Sequence, residues 1–397
     1  MSTRMRFTQT LLFRVIVAII LGIVCSFFFP EWLARIFVTF NGLFGNFLGF
    51  FIPVLIFALI TPAIASLGRG AGKWLGITTA IAYGSTVFSG LLAYAATQGL
   101  YPWLLGADQA GASVDIDEGA LESFFNVEMP PPFDVMTALL LAFTVGVAMT
   151  TVKSDSLYRG ATQLRDVIMK IISAFIIPLL PIYIFGMFLS MGMNGNLTTT
   201  LSMFFKVLVL AVIGTVLLLA IQFSIAGAIA GRSPWQSLKN MLPAYATALG
   251  TSSSAATIPV TYKAAVKNGV SEKVAGFTVP LCATIHLAGS MMKITLFAFA
   301  VMFMADKPVS PGMAIGFILT LGITMIAAPG VPGGAIMAAV GVLQSMLGFD
   351  QEQVALMIAS YIAIDSFGTA CNVTGDGAIA MICLLYTSPS PRDKRQS

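Results

Sequence analysis

Long apolar runs, each separated from the next by a short polar or charged segment, dominate the first 231 residues of the chain. An α-helix needs roughly 20 predominantly apolar residues to cross the hydrocarbon core of a bilayer. The pattern therefore predicts six membrane-spanning helices, over residues 10–30, 36–67, 74–105, 135–152, 167–193 and 202–231.

The hydrophobic pattern changes after residue 231. Residues 235–270 are only moderately apolar, are rich in Ser, Thr and Ala, and contain two prolines. Residues 277–304 predict a seventh ordinary span, and residues 354–385 predict the last span. Between these two, residues 311–349 are apolar but interrupted by the sequence APGVPGG. The two irregular segments are therefore candidates for something other than plain spans.

The positions of Lys and Arg indicate how the two irregular segments lie, because cytoplasmic loops carry an excess of both residues. Both ends of residues 235–270 are basic and are predicted to be cytoplasmic, whereas the ends of residues 311–349 carry only Lys307 and are predicted to be external. Each segment then enters the membrane and returns on the same side, so protein or water must cover its broken tip. Opposed hairpins of this kind are typical of transporter sites. Two ordinary spans with proline kinks remain the alternative.

We therefore predict an all-α polytopic membrane protein with eight transmembrane helices and two opposed re-entrant helical hairpins. We expect it in the cell (cytoplasmic or inner) membrane, with the N-terminus in the cytoplasm. The composition agrees, since 57% of the residues are hydrophobic and only 10% are charged, against about 25% charged in soluble domains. The four cysteines form no CxxC pair, and we expect no disulfide framework. The sequence has no Walker loop or dinucleotide fingerprint, and we expect no enzyme activity, no cofactor and no nucleic-acid partner.

Ionisable side chains at bilayer depth are costly and usually functional. Those that stand out are His286 and Lys293 in the seventh span and Asp365 and Asp376 in the last. At about 100° per residue, one polar stripe is predicted for Asp365, Thr369, Asn372 and Asp376, and a second for His286, Ser290 and Lys293. The two acids would attract a cation or an ammonium group, since hard cations prefer oxygen ligands. Simple neutralisation of one acid by Lys293 in a packed bundle remains open.

The predicted tips of the two hairpins are rich in hydroxyls and glycines. Residues 250–257, GTSSSAAT, offer hydroxyls and backbone N–H groups, and a following helix N-terminus would add a positive dipole. Residues 330–334, GVPGG, form the opposing tip. Such runs of small residues also serve close helix packing, but the pair of tips favours a binding site for a carboxylate.

Three motifs occur in the C-terminal part of the chain: TSSSAATIP at residues 251–259, GVPGGAIM at residues 330–337 and NVTGD at residues 372–376. They resemble the first-hairpin motif, the second-hairpin tip and the last-helix signature of the dicarboxylate/amino acid:cation symporter family, the glutamate transporter family. The resemblance covers about residues 5–385. It implies a homotrimer in which a mobile domain carries solute across the bilayer by an elevator movement, driven by an inward cation gradient.

The resemblance also implies a division of the chain. Residues 1–231 would supply mainly scaffold and trimer contacts, with the third helix and its neighbours contributing to the transport domain. Residues 235–385 would form the transport core, from the first hairpin to the last helix. The helix is predicted to end after Cys383, and residues 386–397 belong to a polar Pro/Ser-rich tract that differs in style from the rest. We interpret that tail as non-native sequence.

The resemblance assigns roles to individual residues. The α-carboxylate of the solute would contact Ser253, Ser254 and Asn372, and its α-amino group would contact Asp365, an acid that dicarboxylate carriers of the family lack. The complete set predicted to bind solute is Ser252, Ser253, Ser254, Lys293, Gly330, Val331, Gly333, Asp365, Gly368, Thr369 and Asn372. The coupling cation, Na⁺ or H⁺, is predicted near Tyr83, Thr86, His286, Ser290, Asn372 and Asp376.

Two departures from the family pattern affect the solute and the cation. Gly368 occupies the position at which members that take acidic amino acids have an Arg for the side-chain carboxylate. HLAGS at residues 286–290 replaces the motif NMDGT and so lacks the Asn and Asp of one sodium site. Lys293 lies at a position that the family places beside the missing Arg. Either Lys293 replaces that Arg and the solute is acidic, or Lys293 replaces a lost cation and the solute is neutral.

These observations together predict a secondary active transporter that couples the symport of a small amino acid to Na⁺ or H⁺. A dicarboxylate:cation symporter is the alternative. An ion channel is a further alternative, although opposed hairpins do not line a continuous pore.

Overall fold

Helices make up most of the computed structural model, which describes residues 11–69, 73–106, 121–152, 155–195, 197–326, 328 and 332–387. In chain order the helices are α1 (Leu11–Ser26), α2 (Glu31–Arg69), α3 (Lys73–Tyr101), α4 (Val135–Thr151), α5 (Asp155–Ile171), α6 (Ile177–Met193), α7 (Leu197–Ala230), α8 (Pro234–Thr251), α9 (Ser254–Lys267), α10 (Glu272–Ile285), α11 (Ala288–Met304), α12 (Pro311–Ile326), α13 (Gly334–Leu347), α14 (Gln351–Ala363) and α15 (Asp365–Thr387). Five-residue π-helical turns extend α3 (Pro102–Gly106) and join α5 to α6 (Ile172–Ile176).

Several of these helices have the length and composition of membrane spans. Within the described residues, six helical segments are long and apolar enough to cross a bilayer: Glu31–Ser66, Trp74–Gly106, Asp155–Met193, Thr200–Ala230, Glu272–Met304 and Asp365–Leu384. Four shorter apolar helices, α1, α4, α12 and α13, accompany them. This architecture confirms the prediction of an all-α polytopic membrane protein.

The six spans predicted in the N-terminal part correspond to α1, α2, α3, α4, α6 and α7. The hydropathy pattern does not predict α5, because this helix is amphipathic and buries only Ile168. Close packing holds α2 against α4 and α1 against α6. A side chain at Gly146 of α4 would lie 2.9 Å from the carbonyl oxygen of Thr61, and one at Gly22 of α1 would lie 2.7 Å from that of Phe185. Small residues thus let these helix backbones approach closely.

Two pairs of helices fold back on themselves in the C-terminal part. α8 and α9 pack together across a two-residue turn, in which Ser252 has a left-handed φ of 48° and Ser253 is the N-cap of α9. α12 and α13 also pack together, and α13 begins after Gly333, whose φ is +76°. The predicted tip residues Gly330 and Val331 lie outside the described residues. The re-entrant placement of both pairs in a membrane stays a prediction.

The seventh predicted span lies within Glu272–Met304, which is long enough to cross a bilayer, but the expectation of an uninterrupted helix there is wrong. α10 ends at Ile285 and α11 begins at Ala288, with His286 in an extended conformation (φ −102°, ψ 102°) between them. The helical stripe predicted to run from His286 through Ser290 to Lys293 therefore holds only for the last two residues. His286 lies before α11 and its direction is set by the break.

Hydroxyl groups of α3 satisfy the backbone at this break. Thr86 Oγ1 accepts a hydrogen bond from the Leu287 N–H (3.3 Å), and Ser89 Oγ donates to the Ala288 carbonyl (2.6 Å). A helix interruption leaves N–H and C=O groups without partners inside the helix, and burial makes such groups costly unless other groups bond to them. The third helix thus stabilises the interruption.

The last span also differs from the prediction. Ile364 (φ −121°, ψ 18°) separates α14 from α15, so residues 354–385 do not form one helix. α15 continues to Thr387, four residues past Cys383, where the sequence predicts its end. Residues 388–397 lie outside the described residues, and the interpretation of the tail stays a prediction.

α15 lies at the centre of the C-terminal part. It packs against α7, α8, α9, α10 and α11, and almost all of its described side chains are buried. α3 and α7 precede residue 231, yet both pack on α11 and α15. The division into scaffold and transport core stays a prediction. The packing of α3 against α11 and α15 agrees with the predicted contribution of the third helix to the transport core.

Candidate functional site

α11 and α15 run antiparallel and side by side, and three polar contacts join them. Lys293 contacts the first residue of α15, Ser290 contacts its middle at Asn372, and His286 contacts it further on at Asp376. Among the described residues, the acidic and basic side chains that are buried are His286, Lys293, Asp365 and Asp376. These are the four that the sequence singles out.

Lys293 pairs with Asp365 inside the protein. The distance from Lys293 Nζ to Asp365 Oδ1 is 3.6 Å, and Nζ also donates to the carbonyl oxygens of Ile364 (3.1 Å) and Asp365 (3.5 Å). The ring of Tyr361 covers the ammonium group, with its centroid 3.9 Å from Nζ. Cation–π contact and charge-assisted hydrogen bonds both stabilise an ammonium group away from water.

Gly368 provides the space that Lys293 occupies. A Cβ atom at position 368 would lie 2.2 Å from Lys293 Cε and 2.3 Å from its Nζ, closer than real Cβ contacts allow. The lysine side chain therefore lies directly on the backbone of α15. The glycine and the lysine form one unit, in which neither can be enlarged while the other keeps its position.

The Asp365 carboxylate links three elements. Its Oδ2 accepts a hydrogen bond from the Gly333 N–H (2.8 Å) at the start of α13, and its Oδ1 faces Lys293 and accepts from Thr369 Oγ1 at 3.5 Å. The second helix pair is therefore tied to α15 through a carboxylate that α11 also holds. Of the residues predicted to bind solute, the structure therefore brings together Lys293, Gly333, Asp365, Gly368 and Thr369.

Asn372 caps the N-terminus of α11. Its Oδ1 accepts from the N–H groups of Gly289 (2.7 Å) and Ser290 (3.3 Å), and its Nδ2 donates to Ser290 Oγ (3.1 Å). Ser290 Oγ also lies 2.9 Å from the Tyr361 hydroxyl. Asn372 thus takes the place of a helix cap at the interruption before α11.

Replacing Asn372 with alanine should destabilise the protein by about 1–3 kcal/mol, because the buried N–H groups of Gly289 and Ser290 lose their acceptor. Thermal unfolding of the purified protein in detergent measures this. Thr144→Ala is the matched control, since that exposed hydroxyl bonds only within its own helix, to the Leu140 carbonyl. Equal unfolding temperatures for the two variants would contradict the capping role.

His286 and Asp376 form the third contact. His286 Nδ1 lies 2.9 Å from Asp376 Oδ1, and both side chains are almost completely buried. On the other side of the ring, His286 Nε2 lies 3.1 Å from Ser85 Oγ, which also accepts a hydrogen bond from Gln222 Nε2 (2.9 Å). Side chains from α3 and α7 therefore complete a continuous polar chain that ends on the carboxylate.

Gly375 leaves room for that chain. A Cβ atom at this position would lie 2.7 Å from His286 Cε1 and 2.8 Å from Gln222 Oε1. The Gln222 Oε1 atom is buried and has no hydrogen-bond partner among the described residues. A buried amide oxygen without a donor is costly, so this atom is a place where a cation or a water molecule would find an unused ligand.

The remaining predicted residues lie at the edges of this assembly. Ser252 and Ser253 form the turn between α8 and α9, and Ser254 is the first residue of α9, which packs against α15. Tyr83 donates its hydroxyl hydrogen to the Leu319 carbonyl of α12 (3.1 Å), whereas Thr86 lies at the α10–α11 break. The structure thus joins Thr86 to the polar centre and directs Tyr83 towards the second helix pair. The solute and cation roles of these residues stay predictions.

Sequence analysis missed Ser85, Gln222 and Tyr361: Ser85 contacts His286, Gln222 contacts Ser85, and Tyr361 covers Lys293. Gln222 gives the clearest signal, because it is an amide in the middle of the otherwise apolar stretch 202–231. Ser85 lies between two residues that were predicted, Tyr83 and Thr86. Nothing in the sequence alone distinguishes Tyr361 from an ordinary aromatic residue of an apolar helix.

The assembly offers oxygen ligands for a hard cation but no dense cluster of strong metal ligands. In the described part of the chain, no three His, Cys, Asp or Glu residues lie close enough to hold a metal ion together. The polar groups available beside the two carboxylates are hydroxyls, amides and backbone carbonyls. Such groups suit a weakly bound alkali cation or the amino and carboxylate groups of a solute.

Comparison with known proteins agrees with this geometry. The sequence profile described as the sodium:dicarboxylate symporter family matches residues 11–384. Excitatory amino acid transporter 1 of Homo sapiens is 34% identical over 146 residues, which cover 36% of this chain and 27% of that protein. Excitatory amino acid transporter 3 of Bos taurus is 36% identical over 146 residues, covering 36% and 28%.

Excitatory amino acid transporter 5 of Homo sapiens is 32% identical over 157 residues, covering 38% of this chain and 28% of that protein. The aligned part thus spans less than a third of the length of these relatives, whereas the family profile extends over nearly the whole chain. On the strength of that profile, the chain belongs to the sodium:dicarboxylate symporter family.

Proposed function

We propose that this protein is a secondary active transporter that couples the symport of a small amino acid to an inward cation gradient, carried by Na⁺ or H⁺. The observation that carries this proposal is the set of four acidic and basic side chains buried between α11 and α15. Charges at such depth are expensive and mark solute or ion paths in membrane proteins. Family membership and the similarity to excitatory amino acid transporters support the same activity.

The proposed binding site lies around the start of α15. Asp365 would hold the α-amino group of the solute, and Asn372 with the serines of the α8–α9 turn would hold its α-carboxylate. The N-terminus of α9 supports the second contact, since the helix dipole favours an anion there. The link between Asp365 and the Gly333 N–H (2.8 Å) would let the second helix pair close over the same site.

The proposed movement is an elevator motion within a homotrimer in the cell membrane, with the N-terminus in the cytoplasm. α8 to α15, with α3 and α7, would travel as one body, because these helices pack on α15 and α11. α1, α2, α4, α5 and α6 would remain as scaffold, and close contacts such as Gly146 against Thr61 support a rigid group. Solute and cation must both favour closure of the hairpins, or their fluxes are not coupled.

A dicarboxylate:cation symporter is the second candidate, because the family carries that name. Asp365 favours the amino acid. Its carboxylate can accept hydrogen bonds from the ammonium group of an amino acid and offers no donor to a second carboxylate of the solute. The channel alternative finds no support in a polar centre that is closed by helix packing.

Gradient-driven uptake into liposomes tests the proposal. Purified protein should accumulate labelled L-alanine, L-serine, L-aspartate or succinate above equilibrium when a Na⁺ or H⁺ gradient is imposed, and a K⁺ gradient serves as a control. Asp365→Asn should lower amino acid uptake by about 100-fold, since a buried charged contact is worth several kcal/mol. Asp166→Asn, at an exposed acid of α5, should behave like the parent. Absence of accumulation with every solute and gradient would refute the proposal.

A further inference from the structure

The ammonium group of Lys293 is fully used inside the protein. An ammonium has three N–H groups, and around Nζ lie the carbonyl oxygens of Ile364 and Asp365, the Asp365 carboxylate and the face of Tyr361. The lysine side chain is 1% exposed, whereas that of Asp365 is 8% exposed. Both side chains are buried, and the ammonium is the more deeply enclosed of the two.

The position of Lys293 is also fixed. Its Cε and Nζ lie where a side chain at position 368 would have to be, so the end of the lysine rests on the α15 backbone beneath Gly368. A swing towards a solute would break the contacts with Ile364, Asp365 and Tyr361 together. Lys293 thus serves Asp365 and offers no donor for the carboxylate of a solute side chain.

Charge balance follows from this pairing. The positive charge of Lys293 cancels the negative charge of Asp365, and the nearby polar groups Thr369, Asn372 and Ser290 are uncharged. His286 and Asp376 form a separate pair about three turns further along α15. No other acidic or basic side chain is buried among the described residues. The described side chains of the site therefore supply no spare positive charge to balance a net anion.

We propose that Lys293 is a resident counter-ion for Asp365 and that the solute is a zwitterionic amino acid with an uncharged side chain. This inference rests on the proposed transport function and decides between an acidic and a neutral solute. A zwitterion leaves the charge of the site unchanged, with its ammonium beside the Asp365 carboxylate, which is less deeply enclosed than the Lys293 ammonium. An acidic amino acid or a dicarboxylate would bury an extra negative charge without a partner, which is costly in a medium of low polarity.

The uptake of different labelled solutes into the same liposomes tests the inference. Accumulation of labelled L-alanine or L-serine should exceed that of L-aspartate and of succinate by about tenfold or more, the equivalent of one unpaired charge at a partly screened site. Uptake of L-aspartate or succinate at the rate of L-alanine or faster would overturn the inference and leave the transport proposal intact. Absence of any accumulation would refute the transport proposal itself.

A variant of Lys293 separates the two roles of that residue. Lys293→Met keeps the length of the side chain but leaves the site with one net negative charge. Unlabelled L-lysine should then compete about tenfold better against labelled L-alanine than it does in the parent. Lys206→Met, at a partly exposed lysine of α7, is the matched control and should show the parental preference. Unchanged competition by L-lysine in Lys293→Met would overturn the inference, because it would mean that Lys293 does not neutralise Asp365.

Protein stability gives a readout independent of transport. If Lys293 neutralises Asp365, Lys293→Met should lower the unfolding temperature by more than the double variant Lys293→Met/Asp365→Asn does. The second change removes the charge that the first leaves unpaired. A double variant less stable than Lys293→Met would overturn the counter-ion role even where neither variant transports.

Discussion

Replacing Gly368 with alanine should abolish solute uptake and lower the unfolding temperature markedly, whereas the same change at Gly99 should have little effect. The added Cβ would lie 2.2 Å from Lys293 Cε and 2.3 Å from Nζ. The end of a lysine can often move aside at low cost, but here the side chain is buried under Tyr361 and bonded to the start of α15. Displacement leaves Asp365 without its counter-charge, which costs about 3–5 kcal/mol for a buried pair.

A control at Gly99 and a rescue of Gly368→Ala both test the packing of Lys293 against Gly368. A Cβ at Gly99 of α3 would meet nothing within 4 Å, and alanine is a better helix former than glycine by about 1 kcal/mol. Gly368→Ala should also become tolerable in the background Lys293→Ala/Asp365→Asn, where both the obstacle and the unpaired charge are absent. Unfolding temperatures by fluorescence measure the control and the rescue, and uptake in liposomes compares Gly368→Ala with Gly99→Ala. A Gly368→Ala protein as stable as Gly99→Ala would contradict the packing that we describe.

Replacing His286 with leucine should destabilise the protein by about 3–5 kcal/mol, the range for a buried charge that loses its partner. Leucine fills most of the imidazole volume, so the effect isolates the lost contact with Asp376, which is 2.9 Å in the parent. Ser85 would also lose its second partner on that side. We expect poor expression and a lower unfolding temperature, measured in detergent at neutral pH.

The double variant His286→Leu/Asp376→Asn distinguishes the lost pair from simple misfit. An uncharged amide is cheaper to bury without a partner than a carboxylate, so the double variant should be more stable than His286→Leu alone. Asp376→Asn alone should cost least, because the amide oxygen can still accept from His286. If His286→Leu and the double variant unfold at the same temperature, the imidazole does not stabilise the Asp376 charge.

The sequence was sufficient to find the charged residues of the site. Asp365, Asp376, Lys293 and His286 stand out because charge in an apolar stretch needs an explanation, and all four are buried between α11 and α15. The folding back of residues 235–270 followed from the positions of Lys and Arg, and α8 and α9 pack accordingly. Each of these inferences rests on a free-energy cost that depends on the residue or segment itself and not on which helices become its neighbours.

The sequence was not sufficient to predict the interruption between α10 and α11 or the partners of the buried charges. The interruption at His286 and Leu287 contains no Pro or Gly, and hydroxyls from α3, two hundred residues away, stabilise it. Hydrophobic periodicity carries no information about such distant acceptors. The contacts of Gln222 and Tyr361 depend in the same way on which helices become neighbours. The amphipathic α5 has no apolar run of spanning length by which hydropathy would reveal it.

The glycines at 368 and 375 have a consequence for how this lineage can diverge. Lys293 fills the space above Gly368, and His286 fills the space above Gly375. A larger residue at either glycine would therefore occupy the volume of the side chain that is already there. A descendant with a larger residue at position 368 must first, or at once, acquire a smaller one at position 293. In a collection of relatives, the two positions should covary inversely in volume, with intermediates that carry small residues at both.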